Sequence, residues 1–132
     1  MSSGDEDIFK TILDGVQVLI VDASAENRDA VEHFLVFHGA EVTQADSAEA
    51  AIAVETNLLD VILADGGIDV VMLLVRQREP KDGRPIPVIV LTALGSDEDN
   101  DALTKAGCHA VLCKPFDPEK LITLVAASIG RC

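Results

Sequence analysis

The feature that most constrains this chain is an alternation. Five short aliphatic runs are each separated from the next by a segment with helical spacing or by a loop, across 132 residues. The first run, 16–21, is almost unbroken in β-branched and aliphatic residues and closes at Asp22. A strand apolar on both faces is the kind buried within a parallel sheet. Segment 26–38 places Ala30, Val31, Phe34, Leu35 and Phe37 at helical spacing and stops at Gly39, the pattern of an amphipathic helix with a glycine C-terminus. The alternation continues with a strand at 41–45, then a helix at 48–56 capped by Asp46 or Ser47 and carrying Glu49 early. A third strand at 60–64 runs into Asp65, and a third helix is predicted at 69–78. Three prolines and a glycine make 79–87 a loop. Strand 88–92, helix 97–106 closed by Gly107, and strand 110–113 follow. Asp117-Pro118 is an N-cap with proline at the first helical position, opening a last helix to about Ile129. Residues 1–15 read as a loose lead-in with a short helix at 7–13, and 16–130 as one domain.

Five strands alternating with five helices predict a parallel sheet covered on both faces. At 48% hydrophobic residues the chain can bury a continuous core, supplied mostly by Ala, Val, Leu and Ile, since it has four Phe and no Trp or Tyr. The apolar runs are too short to span a bilayer, and the N-terminus is acidic, without the basic and apolar regions of a secretory signal. The expected location is cytoplasmic, with no membrane partner. A net charge of −13, from 23 acidic and 10 basic residues, argues against nucleic-acid binding by this chain alone. It suits solubility, a cation or a basic partner surface. Cys108, Cys113 and Cys132 show no Cys-x-x-Cys pair and no zinc spacing. Cys113 reads as a buried small hydrophobe, Cys132 can oxidise between molecules, and none of the three is given a function.

In open α/β sheets the site lies beyond the carboxyl ends of the strands. Four of these strands end in, or run into, a polar residue: Asp22, Asp65, Thr92 and Lys114. Any one of them alone reads as a cap, a loop residue or a solvated charge. Together, two carboxylates, a hydroxyl and an ammonium form a set suited to phosphoryl transfer. A carboxylate can be the nucleophile, a divalent cation held by carboxylates offsets charge, and lysine and hydroxyl hold phosphoryl oxygens.

The chain here resembles the response-regulator receiver domains of two-component signalling, over about 16–130. The resemblance rests on Val-Leu-Ile-Val-Asp at 18–22 with Glu-Asn-Arg at 26–28, and on Leu-Asp-Val-Ile-Leu-Ala-Asp at 59–65. It continues with Pro-Val-Ile-Val-Leu-Thr-Ala at 87–93, Ala-Gly at 106–107 and Lys-Pro-Phe at 114–116. It implies a flavodoxin-like (βα)5 three-layer sandwich with strand order 2-1-3-4-5. It also implies Asp65 as phosphoacceptor, Asp22, Asp65 and the Gly67 carbonyl as the Mg2+ site, and Thr92 and Lys114 as phosphoryl-binding groups. The Lys114–Pro115 peptide is expected to be cis. Implied partners are a histidine kinase or a histidine phosphotransfer protein, with an effector domain or a homodimer using helix 97–106, the fifth strand and the last helix. Catalysis would amount at most to Mg2+-dependent self-phosphorylation and autodephosphorylation.

Three positions depart from the family pattern. Ala23 replaces the usual second acid after strand 1, which removes a ligand and weakens magnesium binding; Glu26 is better explained as a helix-start acid. The segment Gly66-Gly67-Ile68-Asp69 lacks the usual Met-Pro and Asp-Gly loop. Val111 stands where many receivers carry an aromatic switch residue, so a signal from Asp65 would travel through backbone or packing shifts. These departures support an alternative, a pseudo-receiver acting as an interaction module without phosphorylation. A flavin-binding enzyme is a third class, disfavoured because Ala23-Ser24-Ala25-Glu26-Asn27 lacks the Ser, Thr and Gly run that cradles a flavin phosphate.

Overall fold

In the computed structural model, residues 9–54, 59–65, 86–93 and 97–131 are described. The elements run β1 (Gln17–Val21), α1 (Ala25–Phe37), β2 (Glu41–Ala45), α2 (Ala48–Ile52), β3 (Val61–Asp65), β4 (Val88–Thr92), α3 (Asp97–Ala106), β5 (Ala110–Cys113) and α4 (Pro118–Ser128). All pairings are parallel and the sheet order is β2-β1-β3-β4-β5, as the resemblance implied. The helix expected at 69–78 and most of the loop expected at 79–87 lie outside the described residues.

The period-2 geometry of strands divides the aliphatic residues between two faces. Val18, Ile20, Val61, Leu63, Ile89, Leu91 and Leu112 point to one face, where Leu35 of α1 and Leu121, Ile122 and Val125 of α4 cover them. Leu19, Val21, Ile62, Ala64 and Val88 point to the other and pack with Ala51 of α2, while Val90 packs with Leu103 of α3 and Cys108. Burying side chains of this size stabilises the fold by about 1.5–3 kcal/mol each. The central strands are apolar on both sides for that reason. β2, an edge strand, keeps Glu41 and Thr43 exposed.

Helix ends follow their local chemistry. Ser47, rather than Asp46, caps α2 by accepting the Ala50 amide at 3.1 Å. Asp117 caps α4 by accepting the Glu119 amide at 3.0 Å, with proline in the first turn. After α1, Gly39 adopts φ +98°, and a Cβ there would meet Asp14, so glycine is required. Four expectations are corrected. Helix α2 ends at Ile52 instead of reaching 56; Thr56 itself is outside the described residues. The segment read as a loose lead-in is tied down at its described end: Leu13 is fully buried, and its amide donates to the His38 carbonyl at 3.0 Å. Cys108 is the buried cysteine, whereas Cys113 is only half-buried. Phe37, expected on the core face of its helix, is 59% exposed, with the Lys10 ammonium 5.5 Å from its ring centroid.

Candidate functional site

Parallel strands bring their carboxyl ends to one edge, and the four polar strand-end residues arise there. Asp65 is the last residue of β3 and pairs in register with Leu91 of β4, so Thr92 lies one step further on the adjacent strand. Thr92 is buried. Its carbonyl accepts the Lys114 amide at 2.7 Å, which fixes the start of the turn after β5. Lys114 reaches back across β4: its ammonium donates to Asp65 Oδ2 in an ion pair, with 30% of the lysine and 26% of the aspartate side chain still exposed. The Lys114–Pro115 peptide is cis, as expected.

Asp22 follows β1, the other neighbour of β3. Its amide donates to the Ala45 carbonyl at 3.1 Å, and its Oδ1 accepts the Ser24 amide at 2.8 Å. Burial pushes the Asp22 carboxyl above its ordinary 3.8. The negative charge of Asp65 and a hydrogen bond with that carboxylate push it the same way, opposed by the Ser24 amide and the Lys114 charge. Two carboxylates therefore meet beside one ammonium, with a buried hydroxyl residue on the next strand.

This donor set fits a hard divalent cation. Magnesium is commonly held by one or two carboxylates, with waters completing its octahedron, and a cation would relieve the unfavourable environment of Asp22. The described residues hold no group of three His, Cys, Asp or Glu side chains arranged for a metal. Ala23 is exposed at the site's edge and brings no ligand. Gly67 lies outside the described residues. Glu26 is exposed in the first turn of α1, the place of an ordinary helix-start acid. Val111 packs against the cluster of Val90, Leu103 and Cys108 beneath α3.

Sequence reasoning missed two contributors. Ser24 caps α1 by accepting the Asn27 amide at 3.2 Å and gives its own amide to Asp22. Arg28, quoted only within a motif, donates through Nη1 to the Asp22 carbonyl at 2.6 Å. No local spacing marks it, because its contacts depend on how α1 lies over β1 and β2. A groove of about 700 Å3 opens beside Lys114, lined by Val111, Cys113, Pro115, Phe116, Lys120 and Leu124 among others. Among the described residues no helix is long and apolar enough to cross a membrane.

Comparison with known proteins gives a consistent result. The family model of the response regulator receiver domain matches residues 18–126. An uncharacterized 14.6 kDa protein in the sodA1 3' region of Leptolyngbya boryana is 35% identical over 114 residues, covering 83% of this chain and 87% of that one. The phosphate regulon transcriptional regulatory protein PhoB of Escherichia coli is 30% identical over 122 residues, 87% of this chain and 52% of PhoB. The response regulator Rre1 of Synechocystis is 30% identical, over 88% of this chain and 52% of its own length. The chain thus spans about half the length of these regulators. Among solved structures, a response regulator from Chloroflexus aurantiacus superposes with a TM-score of 0.74 at 30% identity, covering 86% of this chain and 97% of that one. The chemotaxis protein CheY4 of Vibrio cholerae superposes at 0.72 and 28%, covering 86% and 98%. With the parallel sheet, its strand order and the strand-end constellation, these matches show that the chain belongs to the response regulator receiver domain family.

Proposed function

We propose that this receiver domain is a phosphoacceptor: Asp65 takes a phosphoryl group from a phosphohistidine of a histidine kinase or histidine phosphotransfer protein. The observation that carries the reading is the Asp65 carboxylate itself, held at a strand end between the Lys114 ammonium and the Asp22 carboxyl. A carboxylate oxygen of Asp65 attacks phosphorus. The new O–P bond forms as the P–N bond to the donor imidazole breaks, and the released imidazole nitrogen takes a proton from solvent. Lys114, already in contact with Asp65, is placed to pair with a phosphoryl oxygen once the carboxylate is esterified. Thr92, one register step beyond, is the hydroxyl candidate for a second oxygen. Asp22, Asp65 and the Gly67 carbonyl would hold Mg2+, which when bound offsets negative charge on the transferring phosphoryl group. The added charge would bias the neighbouring surface of α3, β5 and α4 toward a partner, an effector domain or a second copy.

One observation favours a second reading, a pseudo-receiver that binds partners without phosphorylation: Ala23, next to Asp22, brings no second carboxylate to the site. Adding millimolar Mg2+ with beryllofluoride or acetyl phosphate separates the two readings. Amide shifts at Asp65 and Thr92 are expected for a phosphoacceptor. Unmoved amides at both positions would leave the interaction module standing.

A further inference from the structure

The charged groups of α1 and the edge strand β2 meet in a hydrogen-bonded chain that ends on the site. Arg28 is half-buried, and its guanidinium is used twice. Nε donates to Gln44 Oε1 at 2.9 Å, and Nη1 donates to the Asp22 backbone carbonyl at 2.6 Å. Gln44 is in turn fixed from its other end, where Nε2 donates to Asp29 Oδ1 at 3.1 Å and to Glu32 Oε1 at 3.0 Å. The side chain of Gln44 therefore has one orientation open to it, carbonyl toward Arg28 and amide toward the two acids.

The guanidinium's target is the peptide oxygen of Asp22 rather than its carboxylate. A salt bridge to the carboxylate would restrain Asp22 by neutralising it, and would compete with a cation. A bond to the carbonyl holds the residue and leaves its charge available. Around Asp22 the amide is held by Ala45, Oδ1 by the Ser24 amide and the carbonyl by Arg28. The remaining oxygen, Oδ2, can then face Asp65. With Ala23 supplying no second carboxylate, the aim of this single acid matters more than where two acids share the task.

We infer that Arg28, braced by Gln44, is a positioning residue that aims the Asp22 carboxylate at the phosphoacceptor. The inference rests on the reading of Asp22 and Asp65 as the cation site and names the group that sets its geometry. It differs from a stability role, because Arg28 acts on one turn and leaves the rest of α1 to the Ser24 cap and Leu35.

The experiment uses the full chain and two readouts. The first needs no metal: amide hydrogen exchange at Ser24, whose N–H is held by Asp22 Oδ1. Arg28→Gln is expected to speed Ser24 exchange about tenfold, the size of one charge-assisted hydrogen bond lost, with Leu35 and Val61 amides unchanged. The second is Mg2+ affinity by calorimetry, expected to fall about tenfold, as for loss of an outer-shell partner. Gln44→Leu should give a smaller fall, and the double variant should be no weaker than Arg28→Gln alone, since Gln44 acts through Arg28. Gln44→Leu also serves as the test if Arg28→Gln does not fold. Unchanged Ser24 exchange, or equal acceleration at Leu35 and Val61, overturns the inference. So does wild-type Mg2+ affinity in Arg28→Gln. If the wild-type chain binds no Mg2+, the phosphoacceptor reading fails, while the Ser24 measurement still decides whether Arg28 positions Asp22.

Discussion

The two flanks of Asp65 are built differently. On the β1 side, Asp22 is tied at its amide, its carbonyl and one carboxylate oxygen, each to a different element of the turn or its neighbours. On the β5 side, the Lys114 backbone is tied to Thr92, but its ammonium is held by the Asp65 carboxylate itself. Next to that lysine the surface is an apolar groove rather than a polar network. One flank is arranged to keep a charge in place. The other holds a charge whose partner would change when Asp65 is esterified. Under the proposed function, the difference gives the flanks distinct work: Asp22 would set up the site before transfer, and Lys114 would respond to it.

The largest effect tests the carboxylate between them. Asp65→Asn removes the proposed nucleophile, and no stable acyl phosphate should form with acetyl phosphate, read by mass spectrometry of the intact chain. A phosphorylated variant would move the acceptor elsewhere and dissolve the comparison. Next comes Lys114→Met. A lost charge-assisted contact to a transferring group lowers rates by about 10²–10³-fold, so phosphorylation should slow to that degree while Mg2+ affinity stays at or above the wild-type level. A large loss of Mg2+ binding would show that Lys114 belongs to the preparatory flank after all.

Asp22 gives the converse result. Its carboxyl is raised above 3.8, so the folded state holds the proton more tightly than the unfolded chain. Stability from this group is fully present below 3.8, declines as pH rises through the folded value, and is lower at neutral pH. Asp22→Asn removes the ionisable group. Thermal unfolding without metal should therefore show a variant more stable than wild type at neutral pH, with the gain disappearing in acid. Mg2+ affinity should fall by more than tenfold, given the loss of a direct ligand. A variant less stable at neutral pH would mean that the Ser24 hydrogen bond outweighs the burial and repulsion acting on Asp22.

These flanks were unequally legible in the sequence. The strands were readable because burial on both faces forces aliphatic runs, and the boundaries of β2, β4 and β5 coincide with the expected ones. Asp22, Asp65, Thr92 and Lys114 could be grouped because each ends a run, and two of them, Asp65 and Lys114, meet in an ion pair. Arg28 and Gln44 could not, since their meeting depends on the rotation of α1 over β2, which no local pattern encodes. Phe37 misled for a related reason. Helical spacing marks a face, but the position at the helix end turns away from the core as the chain leaves through His38 and Gly39. Leu13 was missed because its burial comes from a turn docking on His38, without periodicity to announce it.

The smallest effect compares the helix caps beside the two flanks. Ser24 caps α1 next to Asp22, and Asp117 caps α4 three residues after Lys114. Each accepts one amide of its first turn, so Ser24→Ala and Asp117→Ala should each cost about 1 kcal/mol of stability in denaturant unfolding. Their stability losses should match, yet their effects on the site should not. The Ser24 amide that holds Asp22 Oδ1 survives in Ser24→Ala, but the turn carrying it loses its anchor to Asn27, so Mg2+ affinity should drop two- to threefold, the order of a few tenths of a kcal/mol. In Asp117→Ala the Lys114 backbone is still held by Thr92 and its ammonium by Asp65, so Mg2+ affinity should stay at the wild-type value. Equal losses of affinity in both variants would show that the site senses overall stability. The asymmetry between the flanks would then reflect hydrogen-bond counts on each side rather than a division of work.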